Sequence, residues 1–138
     1  MAKKFYSKNF KYLKFDLDET HFKYAVFSHK NNKGIHFDIR LASVSTPDTV
    51  YSWSSKKNPL DRNYPVPIRR SKDHPEEFLT KEGSFSKKGH VNVYTCISKG
   101  TANLIEIDKK AGLLFEGDDR NFRIVPQRGK RYFYHQID

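Results

Sequence analysis

Apolar and polar residues alternate strictly along Ile35-His36-Phe37-Asp38-Ile39-Arg40-Leu41, the period-2 pattern of a strand with one face on a hydrophobic core. Ile35, Phe37, Ile39 and Leu41 share that face, and His36, Asp38 and Arg40 share the other. Upstream, Phe22 to Ser28 is rich enough in aromatic and β-branched residues to be a second strand, ending at His29. Between the two, Lys30-Asn-Asn-Lys-Gly34 has turn chemistry, with Asn and Gly tolerating positive φ. A hairpin is therefore expected, bringing His29 to one end of the His36/Asp38/Arg40 face.

Beyond a turn at Pro47-Asp48, Val50 to Ser54 reads as a third strand. Pro59, Pro65, Pro67 and Pro75 then punctuate a stretch that also holds Arg69 and Arg70. So many prolines argue against a central strand or helix, and the stretch is expected to be a long loop that acts as a lid or lines a site. Downstream come Gly83 to Ser86, Gly89 to Ser98, Thr101 to Ile107, Gly112 to Phe115, Phe122 to Val125 and Tyr132 to Ile137, with Gly100 among the turns between them. Short strands at regular spacing predict a mainly β fold, a single-domain β-barrel over residues 1–138 with short connecting helices. Its mouth would be the natural place for a polar pocket. Residues 1–20 are set apart as an N-terminal arm. In it, Phe5 to Phe15 interleaves aromatic and basic residues in a way that suits either packing on the core or base stacking with phosphate neutralisation.

Charge sharpens the picture. The chain of 138 residues carries 26 Lys and Arg against 16 Asp and Glu, a net +10 spread along its length. Such a field attracts polyanions, with nucleic acid first among them and an anionic membrane surface second. The single cysteine, Cys96, excludes an internal disulfide and a zinc-thiolate centre and reads as a small core residue. No leader-type apolar segment follows the N-terminus and no apolar run approaches a membrane span, so a cytoplasmic, intracellular protein without membrane contact is expected.

Chemistry concentrates on three histidines. His29 ends a strand, His36 opens the polar face, and His74 lies in Lys72-Asp73-His74-Pro75. Imidazole and carboxylate together make a mixed N/O donor set for a divalent metal, and Arg40 beside Asp38 is suited to gripping a phosphate. No HExxH signature is present, which leaves a zinc-peptidase reading without support.

From about Tyr24 to the C-terminus the chain resembles the 3′-phosphoesterase domain of DNA ligase D and its stand-alone relatives. That family shows a histidine, a short turn and then His-Tyr-Asp-Phe-Arg-Leu; here His29 precedes His36-Phe37-Asp38-Ile39-Arg40-Leu41. Its Ser-Trp-Ala-Val-Pro-Lys-Gly-Pro is similar to Ser52 to Pro59, its Glu-Asp-His-Pro to Lys72-Asp73-His74-Pro75, and its Phe-Glu-Gly to Lys81-Glu82-Gly83. Phe122 to Tyr134 resembles its closing pair of strands.

The resemblance implies a β-barrel that removes 3′-phosphates, and a 3′-terminal ribonucleoside, from DNA or RNA ends in repair. It implies Mn²⁺ as cofactor, with Zn²⁺ or Co²⁺ as substitutes, and a ligase or polymerase on a separate chain as partner. Carried over residue by residue, it implies that His29, Asp38 and His74 hold the metal and that His36 and Arg40 grip the scissile phosphate. Lys57, Arg69 and Arg70 would meet the nucleic-acid backbone. The chain departs from the family at Lys72, where a glutamate is expected, and at Phe78, where a tyrosine is expected. Those losses make a catalytically silent binder of nucleic-acid ends the alternative to an enzyme, and a small basic interaction module with scattered histidines the third reading.

Overall fold

The computed structural model describes residues 20–45, 48–61, 63–87, 89–108 and 110–137. The basic-aromatic stretch Phe5 to Phe15 and Pro47 of the expected turn lie outside them.

Among the described residues nine strands build one antiparallel sheet: β1 (His21–Asn31), β2 (Gly34–Ser43), β3 (Val50–Ser55), β4 (Val66–His74), β5 (Gly83–Lys87), β6 (His90–Asp108), β7 (Gly112–Gly117), β8 (Asn121–Pro126) and β9 (Arg131–Ile137). Two 3₁₀ turns, Pro59–Asp61 and Glu76–Leu79, are the only helical pieces among the described residues. The order is β1-β2-β3-β4-β9-β8-β7-β6-β5, and β1 also pairs with β6. Eight strands thereby close a ring, as the expected barrel requires, while β5 extends the sheet beyond it.

The β1–β2 hairpin forms as its turn chemistry dictates. Asn31 pairs with Gly34, the Asn31 side chain accepts the Lys33 N–H at 2.8 Å, and Gly34 takes φ +125°, a value that would strain any residue with a Cβ. Alternation then sorts the side chains. Phe22, Tyr24, Val26, Ile39, Leu41, Tyr51, Trp53, Phe115, Phe122 and Tyr132 belong to a core drawn from all eight ring strands. Trp53 meets Tyr132 edge to face at 5.7 Å between centroids, and each fully buried side chain of this size contributes about 1.5–3 kcal/mol of transfer free energy.

A second, smaller cluster of Ala25, Phe27, Ala42, Val50 and Leu79 lies on the opposite face of β1–β3, with Tyr94 and Cys96 packed against it. The polar face of β2 is therefore covered: Asp38 is 7% and Arg40 3% exposed. Ile35, expected in the core, is 56% exposed, because it stands next to the hairpin turn and the core does not reach that far.

Two other expectations fail for physical reasons. The Pro-rich loop is largely strand β4, inside the ring between β3 and β9. Pro59 and Pro75 stand at the openings of the 3₁₀ turns, where no N–H is required. Pro67 sits within β4, but the β3–β4 ladder stops at Ser54↔Arg69. On that side the Pro67 carbonyl accepts the Ser55 hydroxyl at 3.2 Å, so the missing N–H costs no ladder bond.

Gly100 is likewise not a turn, since β6 runs unbroken from His90 to Asp108. It pairs with Tyr24, and a Cβ there would meet the Tyr24 hydroxyl at 2.9 Å and collide with Asp118. Close approach, not a bend, is what requires glycine.

Candidate metal centre and anion pocket

The site stands on the outer wall of the ring, not at its mouth. Across the sheet His36 is the register partner of His29, and His29 is the partner of Tyr94, so one row crosses β2, β1 and β6. Asp38 lies two residues from His36 and Asn92 two from Tyr94, which puts both on the same face as that row.

His29, His36 and Asp38 each offer a ligand atom within 4.8 Å of the other two. His29 Nδ1 lies 2.8 Å from His36 Nε2 and 3.7 Å from Asp38 Oδ2, and His36 Nε2 lies 3.3 Å from Asp38 Oδ1. The far nitrogen of His29, Nε2, is 2.9 Å from Asn92 Oδ1. An amide oxygen only accepts, so Nε2 carries the proton and Nδ1 turns its lone pair toward the other two groups. The Tyr94 ring stacks on the same imidazole, 4.2 Å between centroids at 22°. Two imidazoles and a carboxylate converging on one point fit a divalent cation such as Mn²⁺ or Zn²⁺, with positions left for water and a substrate oxygen.

Arg40 adjoins this centre. Its Nη2 donates to Asp38 Oδ2 at 3.4 Å, its Nη1 donates to the Phe78 carbonyl, and its carbon sits 4.6 Å from the centroid of the Phe27 ring. Nε, though buried, has no hydrogen-bond partner among the described residues. Burial pulls the Arg40 pKa below its ordinary value, while the neighbouring Asp38 acts in the opposite sense. A guanidinium held so dry gains more from an anion than an exposed one would.

Arg40 opens into a cavity of about 500 Å³ that Lys72, His74, Phe78, Lys81 and Tyr94 also line. His74 stacks on Phe78 at 4.7 Å between centroids. Burial, and then the charge of Arg40, lowers its pKa, so at neutral pH it is an uncharged ring offering one N–H and one lone pair. Burial, reinforced by Asp38, raises the Tyr94 pKa and keeps its hydroxyl protonated.

The geometry divides the expected residues differently from the family resemblance. His36 joins His29 and Asp38, whereas His74 is not in that group and lines the cationic cavity with Arg40. Lys57 and Arg69 border a second cavity, which His36 also lines. Arg70, expected to meet nucleic acid, is 6% exposed. It packs on Tyr51 and Trp53, donates to the Ser52 carbonyl at 3.0 Å and pairs with Asp73. That arrangement makes it a structural residue.

Asn92 and Tyr94 went unnoticed in the sequence, where nothing ties β6 to the hairpin; the alternation of β6 alone puts them on one face. No protein-family model and no curated protein matches the chain.

Proposed function

We propose that this chain is a metal-dependent phosphoesterase acting on the 3′ ends of nucleic acid, releasing a terminal 3′-phosphate and, from the same site, a 3′-terminal ribonucleoside. One observation carries the reading: a two-histidine, one-carboxylate cluster shares Asp38 with a buried arginine that opens into a cationic pocket. A cation-binding cluster and an anion-binding pocket joined at one carboxylate are what a phosphate ester needs, because its oxygens must be both polarised and held.

His29, His36 and Asp38 would hold the metal, and Asn92 and Tyr94 would fix the ring of His29. A bound divalent cation supplies Lewis-acid polarisation of a phosphoryl oxygen and a water of lowered pKa. Arg40 supports the phosphate through charge-assisted hydrogen bonds, and neutral His74 donates one more. Lys72 and Lys81 add positive potential at the rim. Phe78 has no hydroxyl, but Tyr94 lines the same cavity from β6, so the pocket keeps a phenol.

The test is an end-group assay on a duplex with a recessed 3′-phosphate, run with Mn²⁺ and with EDTA. Metal-dependent release of phosphate that disappears in Asp38→Ala and Arg40→Ala is the expected result. Tight binding without release in the parent protein would instead identify a silent end-binding relative.

A further inference from the structure

A second cavity, of about 850 Å³ and larger than the anion pocket, lies beside the candidate metal centre and shares His36 with it. Lys56, Lys57, Arg69, Arg128 and Arg131 line it, and among the described residues no carboxylate does. Pro67 and Phe133 supply apolar floor. Pro67 and Phe133 are register partners on β4 and β9, which fixes the two side chains on one rigid surface. Five cations around an apolar, partly aromatic floor match one ligand chemistry: unpaired bases stacked on the floor with their phosphates on the rim. A paired duplex offers no free base faces and would leave the floor unused.

From this we infer that the cavity is a track for single-stranded nucleic acid, which threads past His36 so that its 3′ end enters the Arg40/His74 pocket. The inference rests on the proposed phosphoesterase reading for its polarity, but the track itself does not need turnover. Rim cations act on phosphates of any sequence, so binding is salt-dependent and indifferent to base identity. Removing the floor ring weakens single strands alone, whereas reversing the rim charge weakens every polyanion.

The experiment measures fluorescence anisotropy of a 5′-fluorescein 20-mer of thymidine bearing a 3′-phosphate, in EDTA, and of a blunt duplex of equal length. The proteins are the parent, Arg128→Glu/Arg131→Glu, Phe133→Leu, and Lys23→Glu/Lys110→Glu as a charge-matched control outside the cavity, each checked by thermal melting. The track predicts a loss of about tenfold or more in Arg128→Glu/Arg131→Glu, with the slope of log affinity against log salt reduced by about one for each lost phosphate contact. Phe133→Leu should lose affinity for the 20-mer several-fold and leave the duplex unchanged, while the control binds as the parent does. An Arg128/Arg131 effect no larger than that of the control would overturn the track, and equal losses of duplex and single strand in Phe133→Leu would overturn the stacking floor. If the rim and floor variants behave as expected while the parent releases no phosphate with Mn²⁺, the track stands and the phosphoesterase reading falls.

Discussion

The Tyr94 ring lies nearly parallel to the His29 imidazole, 4.2 Å between centroids, although 64 intervening residues separate them in the chain. Register explains the meeting, since His29 and Tyr94 are direct partners across β1 and β6. The closure that turns a sheet into a ring thus also completes the candidate metal site, and the site's precision depends on the fold being closed. Tyr94→Phe keeps the stack, whereas Tyr94→Leu removes it and frees the imidazole to rotate. Mn²⁺ affinity by titration calorimetry is expected to be unchanged in Tyr94→Phe and several-fold weaker in Tyr94→Leu. Phosphate release should fall in both, since both lose the hydroxyl that faces the anion pocket.

Asn92 would act on the proposed metal through His29. Its side-chain oxygen, 2.9 Å from Nε2, selects the tautomer whose Nδ1 points at His36 and Asp38. In Asn92→Ala the tautomer is no longer selected, and Mn²⁺ affinity should drop by about 10–100-fold. Asn92→Asp retains the acceptor and should restore most of it. Equal losses in the two variants would mean that Asn92 matters for packing and not for the proton on Nε2.

How much of this was legible in the sequence follows from which interactions are local. The His36-x-Asp38-x-Arg40 face and the turn at Gly34 lie in one hairpin, where period 2 and a positive-φ glycine are enough to place them. The ring as a whole was readable from the spacing of its strands. Its closure by β1 and β6 was not, because pairing over such a distance leaves no local pattern, and Asn92 and Tyr94 were missed with it. Prolines misled at β4, since a composition rule does not show that the neighbouring ladder stops short of Pro67. Arg69 and Arg70 look alike in the sequence and face opposite ways in the strand. The polar face of β2 gave no hint of being covered, because its cover comes from Leu79 and from β6.

That last pair separates stability from binding. Arg70 is buried against Trp53 and Tyr51, and Arg70→Ala leaves the Ser52 carbonyl without this donor and a void beside two rings. A loss of about 1–3 kcal/mol in urea unfolding is expected, with oligonucleotide affinity of the folded protein unchanged. Arg69 is exposed and lines the larger cavity. Arg69→Ala should leave the unfolding midpoint where it is and weaken the 20-mer. Reversed outcomes would show that the strand is turned over relative to this structure.

Gly112 tests the β7–β8 packing behind the core. It has φ +84°, and a Cβ there would collide with the Ile124 carbonyl and come within 2.8 Å of Val125 Cα. Backbone cannot swing aside as a side-chain tip can. Gly112→Ala therefore combines left-handed strain with overpacking, about 2 kcal/mol or more in denaturant melts. Gly129 also has positive φ, +61°, but none of the described residues comes within 4 Å of its Cβ position, so Gly129→Asn should cost far less.

His74 links the anion pocket to pH. Its pKa is lowered from 6.5, first by burial and then by Arg40, with Lys72 acting in the same direction and Asp38 and Asp73 opposing. The unfolded chain therefore takes up a proton near pH 6.5 that the folded chain still refuses. Between that value and the lower folded pKa the unfolded state binds more protons, so stability falls as pH falls, and the loss stops once the folded ring is protonated too. Urea unfolding from pH 7.5 down to 5 should show this decline in the parent and a shallower one in His74→Gln. Sulfate remains a dianion across the whole range, and in the pocket it would favour the imidazolium by facing Arg40 and His74 together. It should flatten the decline in the parent and leave the slope of His74→Gln unchanged, while its general stabilising effect lifts both curves alike. An equal change of slope in the two proteins would mean that His74 does not meet the anion, and the pocket would then have to hold its phosphate through Arg40 and the lysines alone.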